Sequence, residues 1–271
     1  MKRVMVWLLS LVVAGTVWAA KPPKGGGRGG HEGELITCEL TVAPKLNESL
    51  VLTSQSECDQ AKGTYHYRLW LPPAYAEDAT RRWPCMFISS PNGNAGMGAM
   101  GEWLKTNQFV VVMLVEAKNG PWAPIIGNFL AAHDDVVKRV RVQEGMKFAT
   151  GFSGGARASS LYVQLRPGFG GLILQGAGAA FDSRGRYYVD GIQRQNRLFC
   201  AMIVGDKDPN RNEWERMRSA LGTSRLLPLS FPGAHQWAPA EKFVAAMEWI
   251  QKQLAPTGAV PPALRTLSPP R

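Results

Sequence analysis

The run Phe109-Val110-Val111-Val112-Met113-Leu114-Val115 leaves the chain little choice of architecture. Apolar, largely β-branched residues without polar alternation describe a strand buried on both faces, which is a property of parallel sheets covered by helices above and below. Cys85-Met86-Phe87-Ile88 repeats the pattern in shorter form. The covering helices are legible too. Apolar residues keep helical spacing through Ile125, Phe129, Val136, Val137 and Val140, and again through Phe243, Met247, Ile250 and Leu254.

Strand and helix signals alternate along the chain, as they do in an α/β protein with a mostly parallel central sheet and helices on both faces. The chain is predicted to open with a hairpin, Glu34 to Val42 and Leu50 to Thr53, followed by a strand over Tyr65 to Leu71 that Pro72-Pro73 ends. Beyond the two apolar runs, strands are predicted at Met146 to Thr150, Gly171 to Leu174, Leu198 to Val204 and Leu226 to Phe231. Shorter helices are predicted at Ala99 to Lys105, Gly154 to Leu165 and from about Pro209. Between Leu174 and Leu198 stand only about twenty residues, Gln175 to Arg197, too few for a large lid domain, so an open cleft is expected.

The ends of the chain read differently. Residues 1–19 have the form of a secretory signal: Lys2 and Arg3, an apolar stretch from Val4 to Val13, and Val17-Trp18-Ala19 as a cleavage site. Residues 20–34 contain Lys-Pro-Pro-Lys and the run Gly25-Gly26-Gly27-Arg28-Gly29-Gly30, which cannot bury apolar surface and read as a flexible lead. Residues 255–271 read as a proline-rich tail, leaving 35–254 as the folded domain and a secreted or periplasmic location as the expectation.

In such a compartment a Cys38–Cys58 disulfide is expected, with Cys85 and Cys200 as buried thiols inside apolar runs. Neither pair has metal-ligand spacing and no histidine cluster accompanies them, so no metal is expected. The formal charge is +10, two units of it from Lys2 and Arg3, which favours attachment to anionic envelope surfaces. No stripe of basic residues interleaved with aromatics is present, so nucleic acid is not an expected partner.

Gly151-Phe152-Ser153-Gly154-Gly155 stands where an apolar run meets a helical pattern. A Gly-x-Ser-x-Gly in that setting describes a nucleophile elbow, a sharp turn from strand to helix that exposes the serine hydroxyl. A serine hydroxyl needs a histidine to take its proton and a carboxylate to orient that histidine. Of the four histidines, His31 falls in the lead, His66 in an early strand and His133 on a helix. His235 remains, in Phe231-Pro232-Gly233-Ala234-His235-Gln236-Trp237, between the last strand and the last helix. The acid is expected in Gly205-Asp206-Lys207-Asp208-Pro209-Asn210, where two aspartates follow a strand.

All three groups then fall at carboxyl ends of strands, where open α/β sheets collect their ligand sites. Gly154 supplies one backbone N–H for an oxyanion hole, and Asn92 or Gly93, in the small-residue loop Ser90-Pro91-Asn92-Gly93-Asn94-Ala95-Gly96, is the expected second. Trp122, Phe152 and Trp237 are candidate apolar walls of the cleft.

Across about residues 64–252 the chain resembles the α/β hydrolases, and within them it is similar to secreted bacterial esterases of the polyhydroxybutyrate-depolymerase, feruloyl-esterase and dienelactone-hydrolase type. The resemblance is carried by Tyr67-Arg68-Leu69-Trp70-Leu71-Pro72-Pro73-Ala74-Tyr75, the elbow, Gly205-Asp206-Lys207-Asp208 and Gly233-Ala234-His235-Gln236-Trp237. Where those families carry His-Gly after the third strand, this chain has Ser90-Pro91. The resemblance implies a Ser153, Asp208, His235 triad acting on carboxylic esters without metal or organic cofactor, and the open cleft fits a bulky or polymer-attached ester. The resemblance favours Asp208 over Asp206, because those families place the carboxylate three residues after the glycine that ends the strand. A serine peptidase of the prolyl-oligopeptidase type and a non-catalytic envelope binding protein on the same fold are the competing readings.

Overall fold

Eight strands form one sheet in the computed structural model, which describes residues 32–46 and 48–255. The stretch read as a signal sequence, most of that read as a lead, and the residues beyond 255 lie outside the described residues. The strands are β1 (Glu34–Leu40), β2 (Gly63–Trp70), β3 (Trp83–Ser89), β4 (Val110–Leu114), β5 (Val142–Phe152), β6 (Phe169–Gln175), β7 (Phe199–Gly205) and β8 (Leu226–Phe231), in the spatial order β1-β2-β4-β3-β5-β6-β7-β8. From β4 to β8 every neighbouring pair is parallel, while β2 joins β4 and β1 joins β2 antiparallel. Pro228 sits in β8, at the edge of the sheet, where a missing N–H breaks no inner ladder.

The period of two in each strand sorts its side chains into two cores. Val110, Val112 and Leu114 of β4 join Phe87, Ala149, Leu172 and Met202 on one face, while Val111 and Met113 join Met86, Phe148, Ile173 and Ala201 on the other. The first face is covered by α1 (Gln55–Gln60), α3 (Trp122–Arg139), α4 (Gly154–Leu165), α5 (Asp190–Gln193) and α6 (Glu213–Leu221), the second by α2 (Gly101–Thr106) and α7 (Ala240–Leu254). Phe243, Met247, Ile250 and Leu254 of α7 are all buried, as their spacing predicts. A fully buried side chain of this size contributes roughly 1.5–3 kcal/mol.

Two expectations for the amino-terminal region are corrected. β1 pairs with β2, Ile36 opposite Tyr67, and Leu50 to Thr53 form no strand. Val51 and Leu52 are buried as irregular chain leading into α1, whose N-cap Ser54 accepts from the Glu57 N–H at 3.2 Å while the Glu57 carboxylate accepts from the Thr53 N–H at 2.6 Å. The Ser-x-x-Glu signal of a helix start therefore outweighs two apolar residues. With Cys58 carried on α1 instead of beside a hairpin strand, the Cys38–Cys58 bridge is not formed. All four cysteines are buried free thiols. Cys38 Sγ faces the Tyr65 carbonyl at 3.5 Å, and burial, reinforced by Asp135 and Glu116, pushes its pKa up to about 12.

At the end of the sheet away from the β5 carboxyl terminus lies a polar chain that runs from the buried Lys147 and His133 to the partly exposed Asp134 and Arg166. Lys147 Nζ is 3.1 Å from His133 Nε2, His133 Nδ1 is 2.9 Å from Asp134 Oδ1, and Arg166 grips both Asp134 oxygens. Burial pushes the pKa of His133 down, against the pull of Asp134. Burial raises that of Asp134, but the hydrogen bonds from Arg166 and His133 outweigh it and hold the carboxyl well below its usual range. Both shifts have the same consequence for stability. On acidification the unfolded histidine takes up its proton below about pH 6.5, and the unfolded carboxylate below about pH 4, while the folded forms resist, so stability falls with falling pH in each window. The unfolding free energy is expected to decline from pH 7 to pH 5, and the double variant His133→Phe, Lys147→Met to lose that part of the slope. Urea titrations at the two pH values measure it; an unchanged slope in the double variant would exclude His133 as its source.

Candidate active site

β5 ends at Phe152, and Ser153 turns the chain into α4 with φ 54° and ψ −118°, a conformation that costs a non-glycine residue about 1–3 kcal/mol. Its N–H donates to the Gln175 carbonyl at 2.8 Å, and its own carbonyl accepts the N–H groups of Ala156 and Arg157. The turn closes tightly. A Cβ at Gly151 would collide with the backbone of Gly155, and one at Gly155 would collide with the Ser89 carbonyl of β3, so both motif glycines are required by close approach.

β5, β7 and β8 run parallel to β6 and end at one edge, with Phe152 opposite Gln175 and Gly205 opposite Phe231. The loops that leave these ends therefore meet. His235, in the loop after β8, has Nε2 2.9 Å from Ser153 Oγ and Nδ1 2.9 Å from Asp208 Oδ2. A carboxylate only accepts, so Nδ1 carries the hydrogen and Nε2 is left to accept the serine hydroxyl. The Asp208 carboxylate is fully buried, whereas the histidine side chain is 34% exposed. The Phe152 ring packs 4.6 Å from the imidazole and 5.4 Å from Trp237.

The two aspartates of the β7 loop have separate tasks. Asp208 Oδ1 accepts the Asn210 N–H at 2.8 Å while Oδ2 takes the histidine. Asp206 Oδ1 accepts the Gly233 N–H at 2.9 Å, and the Lys207 N–H reaches the Gly233 carbonyl, which stitches the β7 loop to the histidine loop. Each of the other described histidines is engaged elsewhere: His66 with Glu116 at 2.7 Å, and His133 in the polar chain. His31 lies outside the described residues.

Gly154 is the first residue of α4, where an N–H has no acceptor within the helix. The loop after β3 differs from expectation. The Gly93 N–H closes a turn on the Ser90 carbonyl at 3.1 Å, and the Asn92 N–H faces Ser90 Oγ at 3.4 Å. The Gly93 N–H is thus taken up within the Ser90-Pro91-Asn92-Gly93 turn, while the Asn92 N–H makes only the longer contact.

A cleft of about 420 Å³ opens beside the site, with Met97, Met100, Trp237 and Ala238 as apolar lining and Ser90 and Asn94 as polar lining. Of the three expected wall residues, Trp237 lines this cleft and Phe152 packs against it. Trp122 instead opens α3 and packs on the core beneath. Gln175 is the residue the sequence pattern does not single out. Buried at the end of β6, its Nε2 donates to Thr150 Oγ1 at 3.0 Å and its Oε1 accepts the Ala238 N–H at 3.2 Å, tying the elbow strand to the histidine loop. A lone glutamine terminating the apolar Gly171-Leu172-Ile173-Leu174 is the signal that could have found it.

The mostly parallel eight-stranded sheet, its helices on both faces and the strained serine between β5 and α4 define an α/β-hydrolase fold. Solved structures of that fold are similar to this chain. A ferulic acid esterase from the anaerobic fungus Anaeromyces mucronatus aligns at 11% identity and a TM-score of 0.56, over 84% of this chain and 92% of its own. An S-formylglutathione hydrolase from Staphylococcus aureus aligns at 10% identity and a TM-score of 0.54, over 82% of this chain and 100% of its own. A puromycin-hydrolyzing peptidase from Mycobacterium tuberculosis aligns at 15% identity and a TM-score of 0.56, over 71% of this chain and 38% of its own. No family model matches the chain, and no curated protein matches it.

Proposed function

We propose that this protein is an exported serine hydrolase that cleaves carboxylic esters through a covalent acyl-enzyme. The single observation that carries the reading is the unbroken chain Ser153 Oγ, His235 Nε2, His235 Nδ1, Asp208 Oδ2, with both links at 2.9 Å. A non-catalytic protein gains nothing from a serine held at φ 54° with a base on its hydroxyl.

Ser153 Oγ attacks the ester carbonyl carbon as its proton passes to His235 Nε2, and Asp208 stabilises the imidazolium that results. The Gly154 N–H donates to the oxygen that becomes negative. Collapse of the tetrahedral intermediate breaks the bond to the alcohol oxygen, which leaves with the proton from His235. Water then attacks the acyl-serine carbonyl, giving its proton to His235, and the carboxylic acid departs as that proton returns to Ser153 Oγ. The short connection from β6 to β7 leaves the cleft open, which favours a bulky or polymer-attached ester over a small enclosed one. Residues 1–19 support action outside the cytoplasm.

The test pairs a fluorophosphonate probe with a panel of aryl esters of increasing acyl length and the matching amides. Labelling at Ser153, with esters turned over at least a hundredfold faster than amides, is expected; amides hydrolysed as fast as esters would make it a peptidase. A protein that neither labels nor hydrolyses any member would leave the binding-protein reading standing.

A further inference from the structure

We propose that the side-chain amide of Asn119 is the second donor of the oxyanion hole; this rests on the serine-hydrolase reading of the site. With Pro91 lacking an N–H, that of Gly93 bonded inside its turn and that of Asn92 facing Ser90 Oγ, the Ser90 N–H is the backbone donor that the loop after β3 leaves without a partner among the described residues. The Ser90 N–H would lie 3.0 Å from a Cβ built at Gly155, one residue further into α4.

Asn119 comes from a different loop and lies against Gly154 itself. A Cβ at Gly154 would collide with Asn119 Oδ1, and it would lie 2.8 Å from Cγ and 3.3 Å from Nδ2. The amide is thus seated against the residue whose N–H is the first donor. A side chain at 154 would displace the Asn119 amide from this seat. Among the described residues the Asn119 amide has no hydrogen-bond partner, although its backbone is fixed: its N–H donates to the Pro91 carbonyl at 2.8 Å, and the preceding Lys118 bridges Asn92. Oδ1 against the Gly154 Cα leaves two Nδ2 hydrogens for an acceptor, and the oxyanion is the one acceptor the reaction creates there.

A side-chain amide is a proven kind of oxyanion donor, and deleting one costs about 10²–10³ in kcat because the bond forms in the transition state and not in the ground state. Asn119→Ala is expected to lower kcat for an aryl ester by that factor with KM within about threefold, and to slow fluorophosphonate labelling in parallel. Asn119→Asp removes the donor and adds a negative charge beside the developing oxyanion, so it should be at least as slow as Asn119→Ala. Both variants should melt within a few degrees of the wild type, since Asn119 is exposed. If the wild type labels and Asn119→Ala keeps its kcat, the assignment falls and the Ser90 N–H is left as the donor. If the wild type never labels, the serine-hydrolase reading falls and this assignment with it.

Discussion

Ser153→Ala and His235→Ala are each expected to lower turnover of an activated aryl ester by about 10⁶, and the double variant to be no worse than either alone. The reason lies in the shared hydrogen bond of 2.9 Å between Oγ and Nε2. Without the base, the hydroxyl stays protonated and is a poor nucleophile; without the hydroxyl, the base has no proton to take. Either loss therefore removes the same covalent route. What survives is catalysis by the Gly154 N–H and by binding in the cleft, worth about 10³–10⁴ over water in serine hydrolases. Alanine at position 153 keeps the positive φ and its strain, so both single variants should melt close to the wild type. Steady-state rates at saturating ester, corrected for any contaminating wild-type protein by probe titration, measure the three values. Full additivity in the double variant, or Ser153→Ala retaining more than about 1% of the rate, would mean that the two groups do not act as one unit.

The sequence reveals the sheet because burial on both faces leaves a compositional mark. Val110 to Leu114 are all buried, and so are all seven residues of β6. It points to the three candidate residues for a related reason: Ser153 and Asp208 follow the inner strands β5 and β7, His235 follows the edge strand β8, and parallel strands bring their carboxyl ends to one edge. Where reading fails, the determinant is not in the local pattern. Val51-Leu52 carries no period that distinguishes buried coil from strand, and the capping signal of Ser54 and Glu57 decides. The fate of the Asn92 and Gly93 N–H groups depends on the turn that Ser90-Pro91 sets. Asn119 is invisible as a site residue because its contact with Gly154 joins loops that follow β4 and β5, on either side of β3 in the sheet.

Asp208→Asn is expected to cost about ten-thousandfold in turnover, while Asp206→Asn stays within about tenfold of the wild type. The sequence offers both aspartates and a conflict, since Asp208 precedes Pro209 as a helix-capping residue would. The structure removes the conflict by dividing the carboxylate. Oδ1 accepts the Asn210 N–H within the turn, Oδ2 is free for His235, and α6 begins only at Glu213. An asparagine at 208 can still serve Asn210 through its carbonyl oxygen, but it presents an NH₂ to His235 Nδ1. The imidazole must then accept at Nδ1 and carry its hydrogen on Nε2, the nitrogen that has to take the serine proton. The fold survives and the base is in the wrong tautomer. At 206 the same exchange is mild, because the amide oxygen can still accept the Gly233 N–H. Asp206→Ala removes that bond, so the histidine loop should slacken, with a lower melting temperature and a moderate loss of rate. Measured together, kcat and melting temperature separate the two roles: Asp208→Asn should lose rate with little loss of stability, and Asp206→Ala should lose stability first. An inactive Asp206→Asn beside a fully active Asp208→Asn would reverse the assignment and make Asp208 the residue that holds the loop.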